Sequence, residues 1–241
     1  MGLLFSRGPI LDKAEAAGYA FAMIRSNRRI KILAAGLSML AGYVDAIGFI
    51  TLGGYFVSFM SGNSTRLAVG LVRGTPPPAT AAMLIATFVL GVMAGSVTGH
   101  VARHDRPAAV LILVSLVLAV AACLGMAGLS LYAAIAMAFA MGAENTVFER
   151  DGEVQIGLTY MTGTLVKFGQ RLTGALLGRE RLAWTGYLLL WIGLVSGAVI
   201  GAVAHPRLGP HALWIASAAA AVLAAITRRL KPEIGMAPAS S

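Results

Sequence analysis

Phe59-Met60-Ser61-Gly62-Asn63-Ser64-Thr65-Arg66 returns 101 residues later as Tyr160-Met161-Thr162-Gly163-Thr164-Leu165-Val166-Lys167. Both stretches read aromatic, Met, small hydroxyl, Gly, three residues, then a cation, and both interrupt apolar sequence. Polar, glycine-broken backbone at membrane depth is costly unless it is buried in protein or lines a cavity. Two such segments at matching positions of two halves point to a transport site made from broken helices.

The surrounding sequence sets that depth. The chain has 241 residues, 58% of them hydrophobic and only 12% charged, against roughly 25% charged in soluble domains. No charged residue or histidine occurs over residues 107–143, a run of 37, or over 182–204, a run of 23. A helix needs about 20 apolar residues to cross the hydrocarbon, so the first run holds two crossings and the second holds one. The alternating strands of about ten residues that a transmembrane barrel requires are missing. The expected fold is an all-α polytopic membrane protein.

Spans are expected at residues 30–52, 79–102, 107–128, 129–148, 182–204 and 211–227. The inserts at 53–73 and 149–181 carry the two motifs, either as re-entrant hairpins or as full crossings. Charge favours six spans with two re-entrant or broken segments. With the N-terminus cytoplasmic, that topology puts 16 of the 19 Lys and Arg residues inside and leaves Arg66, Arg73 and Arg207 outside, as the positive-inside rule demands. Both termini are then cytoplasmic. The net charge of +9 reflects this placement, and the basic residues are not interleaved with aromatics as a nucleic-acid surface requires. Residues 1–28 read as a cytoplasmic, interfacial N-terminal segment and 232–241 as a disordered tail. The transmembrane repeats occupy 29–128 and 129–231.

Further correspondences extend the repeat. Asp45 and Glu144 are 99 residues apart, the ladder Gly91, Gly95, Gly99 returns as Gly193, Gly197, Gly201 at 102, and Pro107 returns as Pro210 at 103. Three crossings per half is an odd number, so the two three-span repeats are inverted and their broken segments enter from opposite faces. The glycine ladders are packing faces, expected to join the second and fifth spans to each other or to a second subunit in a homodimer.

The site residues follow from the motifs. Ser61 or Asn63 is expected to cap a helix running towards Arg73, and Gly62 to supply a bend. The free N–H groups of such a helix start suit an anion or a carbonyl oxygen. Ser61, Gly62, Asn63, Ser64 and Thr65 on one side, with Thr162, Gly163 and Thr164 on the other, are the expected contacts to a small polar or anionic solute. Asp45, Arg66, Glu144, Asn145 and Lys167 are the intramembrane polar and charged groups. Such residues are functional candidates by default, either coupling a proton or cation or forming fixed pairs, Asp45 with Arg66 and Glu144 with Lys167.

No zinc-protease, nucleophile-elbow or phosphate-loop signature is present, and no enzyme activity, cofactor or metal is expected. The single cysteine, Cys123, allows neither an internal disulfide nor a thiolate metal site. The alternative to transport is a non-transporting scaffold or sensor, with packing motifs only. An intramembrane hydrolase would need a base beside Ser61 or Ser64.

Ala41-Gly42-Tyr43-Val44-Asp45-Ala46-Ile47-Gly48-Phe49, continuing through Gly53-Gly54-Tyr55-Phe56 to Met60-Ser61-Gly62-Asn63-Ser64-Thr65, resembles the YoaK-like family of bacterial integral membrane proteins. The resemblance covers about residues 28–231. It implies a bacterial inner-membrane location and, because that family has no known function, no substrate or catalytic residue.

Overall fold

The structure, a computed structural model, describes residues 28–102, 105–150, 153–154 and 156–229. The expected interfacial segment and the expected tail lie outside the described residues, apart from the backbone of Arg28.

Helix α1 spans Arg28–Thr51, α2 Met60–Arg73, α3 Pro78–Ala102, α4 Arg106–Met126 and α5 Ser130–Glu144. A minimal antiparallel ladder, Glu149–Arg150 (β1) with Glu153–Val154 (β2), precedes α6 at Met161–Leu176. Helix α7 covers Thr185–Leu208, a 3-10 turn Gly209–His211, and α8 Ala212–Arg229. The breaks have local causes. Gly74 adopts φ 73° and its N–H bonds to Gly70 O, ending α2 ahead of the prolines, as a left-handed C-cap does. Gly128 (φ 76°) separates α4 from α5, and Gly209 (φ 55°) with Pro210 separates α7 from α8.

Four helical stretches are long and apolar enough to cross a membrane: Arg29–Thr51, Pro78–Ala102, Arg106–Met126 and Thr185–Arg229, the last containing α7 and α8. Helix α5 is shorter than the expected fourth span. It has 15 residues, which at about 1.5 Å per residue is roughly 22 Å. It stops early because side chains take its last carbonyls: Asn145 Nδ2 donates to Met141 O (2.9 Å) and Thr146 Oγ1 to Ala143 O (2.8 Å). Such local bonds compete with helix continuation. The chain then stays buried through Phe148.

Helix α1 is the most enclosed crossing and packs along α7, while α3 packs along α5 and α4 along α8. The glycines fix these pairs. A Cβ on Gly197 would overlap the Met39 carbonyl, and one on Gly201 the Tyr43 carbonyl. On the other side, Gly91 leaves no room against the Phe139 carbonyl and Gly95 none against Ala143. The contacts run in reverse as well, Gly42 against the Leu194 carbonyl and Gly142 against that of Phe88. Five of the six ladder glycines therefore pack on α1 or α5 within the chain and Gly99 on the Arg106 side chain of α4, not on each other as expected from the sequence, and all six are buried.

This packing also sets the register between the halves. Residues 39, 42 and 43 play the parts of 139, 142 and 143, a separation of 100, while 88, 91 and 95 match 194, 197 and 201, a separation of 106. The ladder match at 102 is thus displaced by four residues, about one helical turn. A motif repeating every four residues is self-similar, so sequence alone does not fix its rung. At the α4–α8 contact, Ser115 Oγ donates to Ser217 O (2.9 Å) and Ser217 Oγ to Ser115 O (2.8 Å).

Candidate functional site

The loop before α2 is built on Asp45. Its Oδ1 accepts the backbone N–H groups of Val57 and Ser58, each at 2.8 Å. Gly53 (φ 62°) and Gly54 (φ 108°) turn the chain after α1, and Val57 packs so closely on Gly48 that a Cβ there would lie 2.6 Å away. Asn63, fully buried, clamps the same loop from the other end. Its Oδ1 accepts Phe56 N–H at 3.0 Å and its Nδ2 donates to Phe56 O at 2.6 Å. Arg66 lies over the Tyr55 ring, 5.3 Å from its centroid. Among the described residues Asp45 and Arg66 form no ion pair. The carboxylate's partners are amides.

The first motif differs from its expected geometry. Helix α2 starts at Met60 with Phe59 at the N-cap and no side-chain cap bond, so Ser61 and Asn63 sit inside the first turn. Gly62 is helical, and the space beside it is filled by the Phe56 and Phe59 rings, 2.8 and 2.7 Å from where a Cβ would stand. Ser61, Ser64 and Thr65 are exposed. The last two hydroxyls bond back to Met60 O and Ser61 O.

The second motif matches it in outline. Helix α6 starts at Met161 with Tyr160 at the N-cap and again no side-chain cap bond. Thr162, Gly163 and Lys167 are exposed and Thr164 is buried. Asn145 Oδ1 accepts the Thr159 hydroxyl (3.1 Å), and Ser38 Oγ of α1 reaches across to Leu158 O (3.2 Å). Helix α2 lies against α3 and α6 against α7. Among the described residues α2 and α6 do not form a packed pair, and nothing lies within 4 Å of a Cβ placed on Gly163. The two motifs, expected to face one solute, do not meet at Gly62 and Gly163.

Applying the packing register, Asn145 rather than Glu144 corresponds to Asp45, since 45 and 145 share the separation of 42 and 142. Their roles agree: each holds the end of the loop that leads into a short helix. Glu144 then corresponds to Val44. Both are fully buried, and neither carboxylate oxygen of Glu144 has a hydrogen-bond partner among the described residues. The expected pair of Glu144 with Lys167 is not formed.

One polar cluster escaped the sequence reading. Arg106 Nη2 meets Glu149 Oε2 at 2.6 Å, the Ser96 hydroxyl donates to the same oxygen at 2.6 Å, and Arg106 Nε donates to Thr146 O at 3.3 Å. Its members come from α3, α4, the turn after α5 and β1, and only the fold unites them. The Ser115–Ser217 pair was legible in principle, as two hydroxyls in apolar runs 102 residues apart.

The exterior carries Val97, Val101, Leu116, Leu176, Val199, Val203 and Val222, all exposed, while Asn63, Glu144, Asn145 and Thr146 are buried. That distribution suits lipid outside and protein inside. The chain is a polytopic α-helical membrane protein. It belongs to the family described as a protein of unknown function, DUF1275, whose model matches residues 33–226. It is 41% identical over 164 residues to the UPF0700 transmembrane protein RA0705 of Rhizobium meliloti (strain 1021), covering 68% of this chain and 71% of that one. It is 29% identical over 158 residues to the UPF0700 transmembrane protein YoaK of Bacillus subtilis (strain 168), covering 60% and 68%. No solved structure matches.

Proposed function

We propose that this protein is a bacterial inner-membrane transporter or channel for a small polar or anionic solute. It has six crossings and two broken segments, α2 and α6, in two inverted three-span repeats with both termini cytoplasmic. The observation that carries the reading is the matched pair α2 and α6. They have 14 and 16 residues, about 21 and 24 Å, too short for a bilayer core of about 30 Å. Each begins beside a polar anchor, half-buried Asp45 or buried Asn145. Half-helix N-termini held at depth in corresponding positions suit an anionic group. The exposed hydroxyls of Ser61, Ser64, Thr65 and Thr162 line the solute path in a second state, in which α2 and α6 turn towards a common cavity.

A static scaffold or sensor is favoured by the saturation of Asp45 and Asn63 and by the aromatic filling around Gly62. The unpartnered Glu144 speaks against it, because a scaffold gains nothing from a desolvated carboxylate.

Reconstituted protein should be tested with a panel of labelled small anions and neutral polar solutes, by uptake and by thermal shift. The expected result is uptake of at least one solute, abolished by Ser61→Trp and by Thr162→Trp at unchanged folding. Uptake unaffected by both substitutions, or no uptake by any panel member, overturns the reading.

A further inference from the structure

We infer that Glu144 is a proton-binding site, occupied in the described state and exchanging with water in another, and that it is the proton-coupling residue of the transport cycle. In the last respect the inference rests on the proposed function. Glu144 ends α5, inside a run from Met141 to Phe148 that is buried throughout. Neither of its oxygens has a hydrogen-bond partner among the described residues. A desolvated carboxylate without a cation or a donor is among the costliest arrangements a fold can hold. The C-terminal end of a helix, with its partial negative charge, makes an anion there worse still. A bound proton removes the charge without needing a partner side chain.

The surrounding charges are engaged elsewhere. Of the elements packed on α5, α1 contributes Asp45, spent on two amides, and Tyr43, whose hydroxyl donates to Ala212 O. Arg29 and Lys31 lie at the start of α1, in its first turn. From α4, Arg106 pairs with Glu149 of β1 and bonds to Thr146 O, two residues beyond Glu144. Described titratable residues elsewhere on these elements are Asp105 just before α4, Tyr132 and Cys123, which are exposed or half-buried, and exposed His100 on α3. None of these side chains reaches the Glu144 carboxylate.

The first half supplies the control. Its equivalent position holds Val44, fully buried, so this site in the fold is filled by hydrocarbon when no proton needs to be carried. The anchoring duty that explains Asp45 belongs to Asn145 in the second half. Glu144 has no such duty.

The test is infrared difference spectroscopy of the full-length protein in lipid bilayers, stepped from neutral to alkaline pH and back, for wild type, Glu144→Gln and Asp45→Asn. The expected wild-type spectrum has a protonated-carboxyl C=O band at neutral pH that disappears in alkali and returns. That band is absent from Glu144→Gln and kept in Asp45→Asn. A missing band, a band unchanged in Glu144→Gln, or a band that does not answer to pH overturns the inference. So does its replacement by stabilisation that depends on sodium ions. Should Glu144→Gln fail to fold, wild-type protein treated with an apolar carbodiimide decides the matter. The reagent adds to a protonated carboxyl with no leaving group, and mass mapping should find the adduct on Glu144; none there overturns the site. Neither readout uses solute uptake. Negative uptake with the band intact removes the transport reading and the coupling role while the proton site stands, and uptake without the band does the reverse.

Discussion

Val44 and Glu144 occupy equivalent places in the two halves, both fully buried and each one residue before the side chain that anchors its loop. The equivalence comes from packing: Gly42 abuts the Leu194 carbonyl as Gly142 abuts that of Phe88. The two glycine contacts match, and the residues two positions beyond them differ in whether they carry a polar head.

Glu144→Val should therefore stabilise the protein. Removing an unpartnered buried polar group is worth about 1–3 kcal/mol, and valine already fits the equivalent position. The measurement is denaturant unfolding in mild detergent, with a higher midpoint expected for the variant. Val44→Glu should lower the midpoint, because it buries a second carboxyl beside Asp45.

Asp45 should behave in the opposite way. Asp45→Ala strands the amides of Val57 and Ser58, at a cost of about 2–6 kcal/mol in all, whereas Asp45→Asn keeps an oxygen acceptor and loses less. Hydrogen exchange at those two amides should accelerate in Asp45→Ala and remain close to wild type in Asp45→Asn. Equal exchange in all three proteins would contradict the anchoring role.

The ladders give paired expectations. Gly91→Ala and Gly197→Ala each drive a methyl group into a backbone carbonyl, so both should destabilise by about 2–3 kcal/mol through forced helix separation. Gly169→Ala lies within α6 with open space around it and should gain about 0.5–1 kcal/mol. Thermal unfolding of the three variants checks the contrast.

Ser115 and Ser217 should each hold α4 to α8. Each donates to the other's carbonyl, and interhelical hydrogen bonds in membranes average about 0.6 kcal/mol, with a maximum near 1.7. Each single alanine substitution should lower stability by about that much, and because both acceptors are backbone carbonyls that alanine keeps, the two losses should be nearly additive in the double variant. Two single variants as stable as wild type would show that the helices are held by packing alone.

The helices were largely legible because long apolar runs leave few alternatives: the expected span 79–102 is observed as Pro78–Ala102 and 107–128 as Arg106–Met126. The early end of α5 was not, because it depends on which way the Asn145 and Thr146 side chains turn. The bend expected at Gly62 falls instead at Gly53 and Gly54, where φ is positive. The Asp45–Arg66 pair was plausible from charge alone. Loop amides, which leave no mark in a sequence, took the carboxylate instead. Register between the halves failed for a related reason, since glycine rungs four apart look alike until their partners are known.

The central claim is that α2 and α6 are polar half-helices reached from opposite faces of the membrane. Ser61→Cys and Thr162→Cys, each made in a Cys123→Ala background, place a thiol in the first turn of each short helix. Labelling in oriented vesicles with a membrane-impermeant thiol reagent reads the side from which each is reached. The account predicts that Ser61→Cys labels only from the outer face and Thr162→Cys only from the cytoplasmic face. Labelling of both from the same face, or of neither from any face, would contradict it.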